Sequence, residues 1–213
     1  METRSLEFDT KKHNEINDNH QKEVKYNNTN SLNSLAKNKL DLIAKFLSNA
    51  LDKENKNTID ENTRLPKENG EWVGEAGNSK WKPNPDYIHP SELINPERKT
   101  WLEVSKKHLI DGIPFKNGIP DFSEVSKGTV KIKDFTSNRY KNFTQADIEF
   151  ANMRGVKPED VRQFRKDNGY TWHEKNDMKS MDLLPNDVHG WIPHSGGISA
   201  IKNLERKEQS ENV

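Results

Sequence analysis

The sequence predicts an α+β domain over residues 71–213, preceded by a polar segment, 1–70. Three observations lead there. All five tryptophans (Trp72, Trp81, Trp101, Trp172 and Trp191) fall after residue 70, so the residues able to anchor a core are confined to that part. Between Tyr170 and Leu184, two short runs of strand-forming residues flank a turn, the pattern of a β-hairpin. Around the hairpin, several segments carry helical spacing with capping residues at their ends.

The segment 1–70 is dominated by Asn, Lys, Glu and Asp, as in HNEINDNHQKEVKYNNTN and DKENKNTIDENTRLPKENG. Such runs bury too little apolar surface to offset chain entropy, so this part is expected to be largely disordered. One island departs from that. Leu32, Leu35, Leu42, Ile43, Phe46, Leu47, Ala50 and Leu51 recur at helical spacing and predict an amphipathic helix over about 31–51. It reads either as a helix packed on a neighbour or as a docking helix for a secretion carrier or chaperone.

Composition excludes several classes. With 30% hydrophobic and 32% charged residues, the whole chain cannot fold around one core of ordinary density. A formal charge of zero argues against a strongly basic nucleic-acid coat but leaves room for a small basic cleft. Cysteine is absent, which removes disulfides, thiol nucleophiles and cysteine-based zinc sites together. No stretch approaches the ~18 apolar residues of a membrane span. The start METRSLEFDTKKHNE has no apolar core for a Sec-type signal peptide. The expectation is synthesis in the cytoplasm and export by a dedicated machine.

From residue 71, GEWVGEAGNSKWKPNPDYIHPSELINP reads as an irregular segment anchored by aromatic residues. KTWLEVSKKHLIDG predicts a short helix closing at Gly112, and Asn117-Gly118 a hairpin turn. A strand is expected at Thr129–Ile132. Thr144 is placed to cap a helix over Gln145–Met153 through Asp147. Pro158 suits a first helical residue, Val161 and Phe164 share a face of that helix, and Gly169 stops it. Tyr170–Trp172 and Met181–Leu184 then pair as a hairpin through Lys175-Asn176-Asp177. Pro185 leads into a helical turn that Asn186 or Asp187 is able to cap.

The chemistry concentrates in YTWHEKNDMKSMDLLPNDVHGWIPHSGG, residues 170–197, where His173, His189 and His194 lie with Glu174 and Asp187. A hairpin followed by a short helix brings one strand residue and two helix-end residues to a common point. Three imidazole or carboxylate ligands around one divalent ion leave a coordination position open, as catalytic sites require. Spacing alone also allows three unrelated, hydrogen-bonded histidines.

The run resembles the toxin nucleases of the HNH/endonuclease VII superfamily that carry a Trp-His-His motif, found in colicin-like bacteriocins, LXG toxins and contact-dependent inhibition proteins. GYTWHE, MDLLP, DVH and HSGG follow in the family's order, and upstream GEAGNSKWKP, GIPFKNGIPDFS, TVKI and NRYKNFTQADIEFAN extend the likeness over about residues 71–201. Glu174 stands where a second histidine is usual, Asn142 where Asp is frequent, and Ser195 where Thr is.

The resemblance implies a ββα-metal (His-Me finger) core that cleaves phosphodiester bonds with one divalent ion, Mg²⁺, Mn²⁺, Ni²⁺ or Zn²⁺. In the family's usual register His173 is a metal ligand and Glu174 occupies the general-base position. In a shifted register His173 is the base and Glu174 a carboxylate ligand, which is preferred here because carboxylates are poor bases at neutral pH unless their pKa is raised. His189 and His194 complete the metal site. Ser195-Gly196-Gly197 reads either as a phosphate-binding nest or as a simple turn. Arg139 reads either as a guanidinium fork on the scissile phosphate or as a structural ion pair. His89 and His108 are expected to be structural or exposed. The implied activity is that of an antibacterial DNase neutralised by a cognate immunity protein. The alternatives are an RNase on the same fold, and a non-catalytic binding module stabilised by metal.

Overall fold

The computed structural model describes residues 63–211 without a break, together with Ile59 and the helical residues 37, 39–45, 47 and 48. The chain divides into two units, Met1–Asn49 and Ala50–Val213. In the first, the described residues are helical, as the leucine spacing predicts, with Leu42 and Ile43 half-buried and Leu40 exposed. The remainder of that predicted helix, and most of the segment 1–70 expected to be largely disordered, lie outside the described residues; residues 63–70 are described, with Pro66 buried.

The second unit opens with an antiparallel meander of four strands: β1 (Gly70–Trp72), β2 (Lys80–Pro83), β3 (Ile113–Lys116) and β4 (Ile119–Pro120). Alternation turns Trp81, Pro83, Ile113 and Phe115 inward. Asn117 and Gly118, both at positive φ, make the expected tight turn between β3 and β4. Helix α1 (Trp101–His108) lies between β2 and β3. Thr100 and Glu103 form its capping box. It closes at Leu109 in the left-handed region, not at Gly112 as expected. Gly112 answers a different demand: a Cβ there would lie 2.4 Å from the Trp81 carbonyl oxygen, so only glycine lets β3 approach β2.

A second sheet has the order β5-β7-β6, from β5 (Thr129–Lys131), β6 (Tyr170–Glu174) and β7 (Ser180–Pro185). All six residues of central β7 are buried. The hairpin β6–β7 pairs Trp172 with Leu183 and His173 with Asp182. Helices α2 (Arg139–Arg154) and α3 (Pro158–Asp167) precede it; α4 (Asn186–His189) and α5 (Gly197–Glu211) come after it. The order strand, strand, short helix is the ββα arrangement expected for the core.

Helix α2 begins at Arg139, a turn and a half ahead of the Gln145 start that the sequence signals predict. Asn138 is the cap, accepting the Lys141 N–H at 3.2 Å, and Thr144 lies inside the helix, donating to the Tyr140 carbonyl at 2.9 Å. Buried Asn142 accepts the Thr136 N–H and donates to the Thr136 carbonyl, tying the preceding loop to α2.

One core joins the two sheets. Trp81, Trp101, Ile113, Phe115 and Phe122 from the first half pack with Leu184 of the hairpin and with Val188, Trp191 and Ile192 of the segment after it. Burying side chains of this size contributes about 1.5–3 kcal/mol each before entropy is charged. No described helix is long and apolar enough to cross a membrane.

Candidate nuclease centre

Strand alternation sorts the hairpin residues. On β6, Trp172 and Glu174 face α2, while His173 between them points to the opposite side. Trp172 is buried, and its indole N–H donates to Asp147 of α2 at 2.8 Å. Glu174 reaches the start of the same helix, where its Oε2 lies 3.2 Å from Arg139 Nε. His173 is directed toward α4 and the loop behind it.

There the three histidines meet. His173 Nδ1 lies 3.1 Å from His189 Nε2 and 3.3 Å from His194 Nε2, and the three ligand atoms all fall within 4.8 Å of one another. Phe122 supports the cluster, standing 5.2, 5.7 and 5.4 Å from the rings of His173, His189 and His194. His194 Nδ1 lies 2.7 Å from the Ile192 carbonyl oxygen, which only accepts. That nitrogen therefore carries the proton, and Nε2 presents a lone pair to the cluster. At most one proton is available to the contact between His173 and His189, so at least two lone pairs converge on one point. The donor chemistry fits a divalent cation, with the Ile192 carbonyl fixing the ring of one ligand from behind.

Burial lowers all three imidazoles. His189 is brought to about 3, and His173 is held well below its ordinary value by burial and by the neighbouring rings. His194 is lowered chiefly by burial. They are neutral at pH 7 and ready as ligands. The same shifts make a stability prediction. Unfolded histidines take a proton near pH 6.5, whereas the folded cluster resists it, so below that pH the unfolded chain binds more protons. Stability is present above pH 6.5 and is lost as pH falls toward 3, by up to about 1.4 kcal/mol per pH unit for each histidine. Urea unfolding of metal-free protein at pH 7 and pH 5 checks this; equal midpoints would contradict it.

Glu174 is not a member of the cluster. Neighbours on a strand point to opposite faces, so His173 and Glu174 do not converge on one ion, and the ligand role preferred for Glu174 from sequence finds no partner geometry here. Burial raises its carboxyl above the ordinary value against the opposing pull of Arg139, and Oε1 has no hydrogen-bond partner among the described residues. The exposed Arg139 guanidinium sits at the mouth of this acid.

Ser195, Gly196 and Gly197 lie where α5 meets the end of β6. Ser195 Oγ accepts the Arg64 N–H at 2.9 Å. A Cβ on Gly196 would lie 2.9 Å from the Glu174 carbonyl oxygen, and one on Gly197 would lie 2.4 Å from that of Lys175. Both glycines are thus required for close packing at the centre's edge. Asp187 does not cap α4; it accepts His108 at 2.9 Å and Lys107 at 2.7 Å, tying α1 to the helix that carries His189. His108 is accordingly structural.

Three contributors escape the sequence reading. Phe122, the aromatic floor, sits in GIPDFS without any signal that separates it from ordinary core. Arg64 belongs to the polar segment 1–70. Asp147 did carry a signal, because Asn142, Ala146, Phe150 and Ala151 make the buried stripe of α2 and a carboxylate within it demands a partner.

Residues 113–196 match the family model of the DNase/tRNase domain of colicin-like bacteriocin. The matched stretch contains Arg139, Glu174 and the three histidines, and lies within the longer part in which the motifs resemble toxin nucleases. The family implies a nuclease that hydrolyses nucleic acid. No curated protein matches the chain.

Proposed function

We propose that the chain is a metal-dependent endonuclease toxin that cleaves phosphodiester bonds of DNA in a target cell and is neutralised by a cognate immunity protein. The observation that carries it is the convergence of three neutral imidazoles beside a buried acid and an exposed arginine, inside the stretch that matches colicin-type nucleases. His173, His189 and His194 hold the cation. An all-imidazole set suits Zn²⁺ or Ni²⁺ better than Mg²⁺ or Mn²⁺. When bound, such an ion polarises the phosphate and offsets charge on the leaving oxygen.

The remaining work belongs to the protein. Arg139 binds a non-bridging phosphate oxygen through its guanidinium fork. Glu174 stands in the general-base position of the family's usual register, and its raised pKa brings it closer to the range where a base works at neutral pH. The amides of Ser195–Gly197 donate to a second phosphate oxygen. Residues 1–70 provide the contact with a secretion carrier or chaperone, and residues 71–213 the nuclease.

Purified protein incubated with supercoiled plasmid and Zn²⁺ or Ni²⁺ is expected to nick and linearise it, and EDTA to stop the reaction. Failure to cut with any of the four cations, Mg²⁺ and Mn²⁺ included, would remove the proposal. A second reading, an RNase toxin, is favoured by the tRNase half of the family description; total RNA run beside plasmid separates the two. A non-catalytic, metal-stabilised module is disfavoured because structural sites are closed by four protein ligands, while three ligand groups converge here among the described residues.

A further inference from the structure

A cleft of about 410 Å³ opens beside the histidine centre. One wall is aromatic, made by Trp81, Tyr87, His89 and Trp191, and Arg64 and Lys67 stand on another. Tyr87 lies edge-on to Trp191 at 5.5 Å, and His89 lies 5.8 Å from the same ring. Trp81 and Trp191 are buried, whereas Tyr87 and His89 are half-buried and offer ring surface. Burial lowers the His89 pKa, which favours the uncharged ring.

Two contacts tie the cleft to the segment that carries His194. Pro193, which precedes His194, lines it, and the backbone N–H of Arg64 is bonded to Ser195. Glu68 also lines the cleft, so two cations face one acid. The cleft thus offers ring faces and cations at once, the combination that recognises a nucleotide.

We propose that this cleft seats the nucleotide next to the one cut at the histidine centre, with its base against Tyr87 and His89 and its phosphate toward Arg64 and Lys67. The inference rests on the nuclease reading and adds a subsite to it. Stacking tolerates any base, so the subsite positions the strand without selecting a sequence.

The test uses the full chain and a fluorescent DNA oligonucleotide with phosphorothioate linkages, which resist cutting. Anisotropy reads affinity, and quenching of tryptophan fluorescence reports occupation of the cleft. His89→Ala and Tyr87→Leu are each expected to weaken binding by about tenfold. Removing the base at one position of the oligonucleotide is expected to cost wild type a similar factor and His89→Ala much less, a difference that misfolding cannot imitate. Unchanged affinity in both variants, or equal base-removal penalties in wild type and His89→Ala, overturns the subsite while plasmid cleavage still upholds the nuclease. An RNA strand with the same pattern supports a nucleotide subsite indifferent to the sugar. No binding of either strand overturns it.

Discussion

Replacing His189 with alanine is expected to abolish detectable cleavage and to weaken Zn²⁺ or Ni²⁺ binding by more than about 100-fold. Loss of an outer partner of a metal ligand costs about 10- to 100-fold, so loss of a ligand exceeds that range. In the proposed metal site three ligands leave no reserve: two imidazoles, His173 and His194, remain, and the third corner opens to water. The fold survives the change, because α4 is held by Val188 in the core and by the Asp187 bonds to Lys107 and His108, none of which involve the imidazole. Calorimetric titration with Zn²⁺, beside a circular dichroism spectrum matching wild type, checks the expectation. Wild-type affinity in a folded His189→Ala protein would show that the rings hold no ion.

The same geometry bears on the two registers that the sequence leaves open. Adjacent residues on β6 point to opposite faces, and the partners agree with that sorting: His173 meets imidazoles, while Glu174 meets Arg139. Sequence arithmetic prefers a carboxylate ligand because it weighs donor chemistry without direction. Direction is a property of the strand, and period-2 alternation applied to Trp172-His173-Glu174 would have argued against that preference.

Legibility depends on the range of the interaction. The Asn117-Gly118 turn, the Pro158 helix start and the β6–β7 hairpin are fixed by neighbouring residues, and each is readable in order along the chain. The start of α2 is not, because Thr144 and Asn138 are both competent caps and the choice is made by Asn142 and Thr136 closing the loop ahead. The end of α1 is misread because Gly112 is engaged in strand packing while Leu109 accepts the left-handed conformation. The histidine trio is legible as a cluster, since its members lie within 22 residues of sequence. Phe122 and Arg64 are not, since 51 and 130 residues separate them from His173 and His194.

Asp147→Ala carries the largest expected loss of stability, about 3–5 kcal/mol. The carboxylate is buried, receives two bonds from Arg165 at 2.7 Å each and one from the Trp172 indole at 2.8 Å, and has Arg162 nearby. Desolvating two charges costs several kcal/mol, which their attraction and the added bonds offset only while both partners are present. Alanine leaves a guanidinium largely out of water and an indole N–H unpaired. The loss reaches the centre as well, because Trp172 precedes His173 and its bond to α2 sets the strand from which that imidazole projects. Replacing Arg165 as well, by methionine, removes the stranded charge and is expected to recover part of the stability without restoring the Trp172 bond. Urea midpoints of the single and double variants, measured beside metal affinity, test the account. A double variant no more stable than Asp147→Ala would place the cost in the lost indole bond and in packing, and an unchanged midpoint in the single variant would deny that this acid holds the hairpin at all.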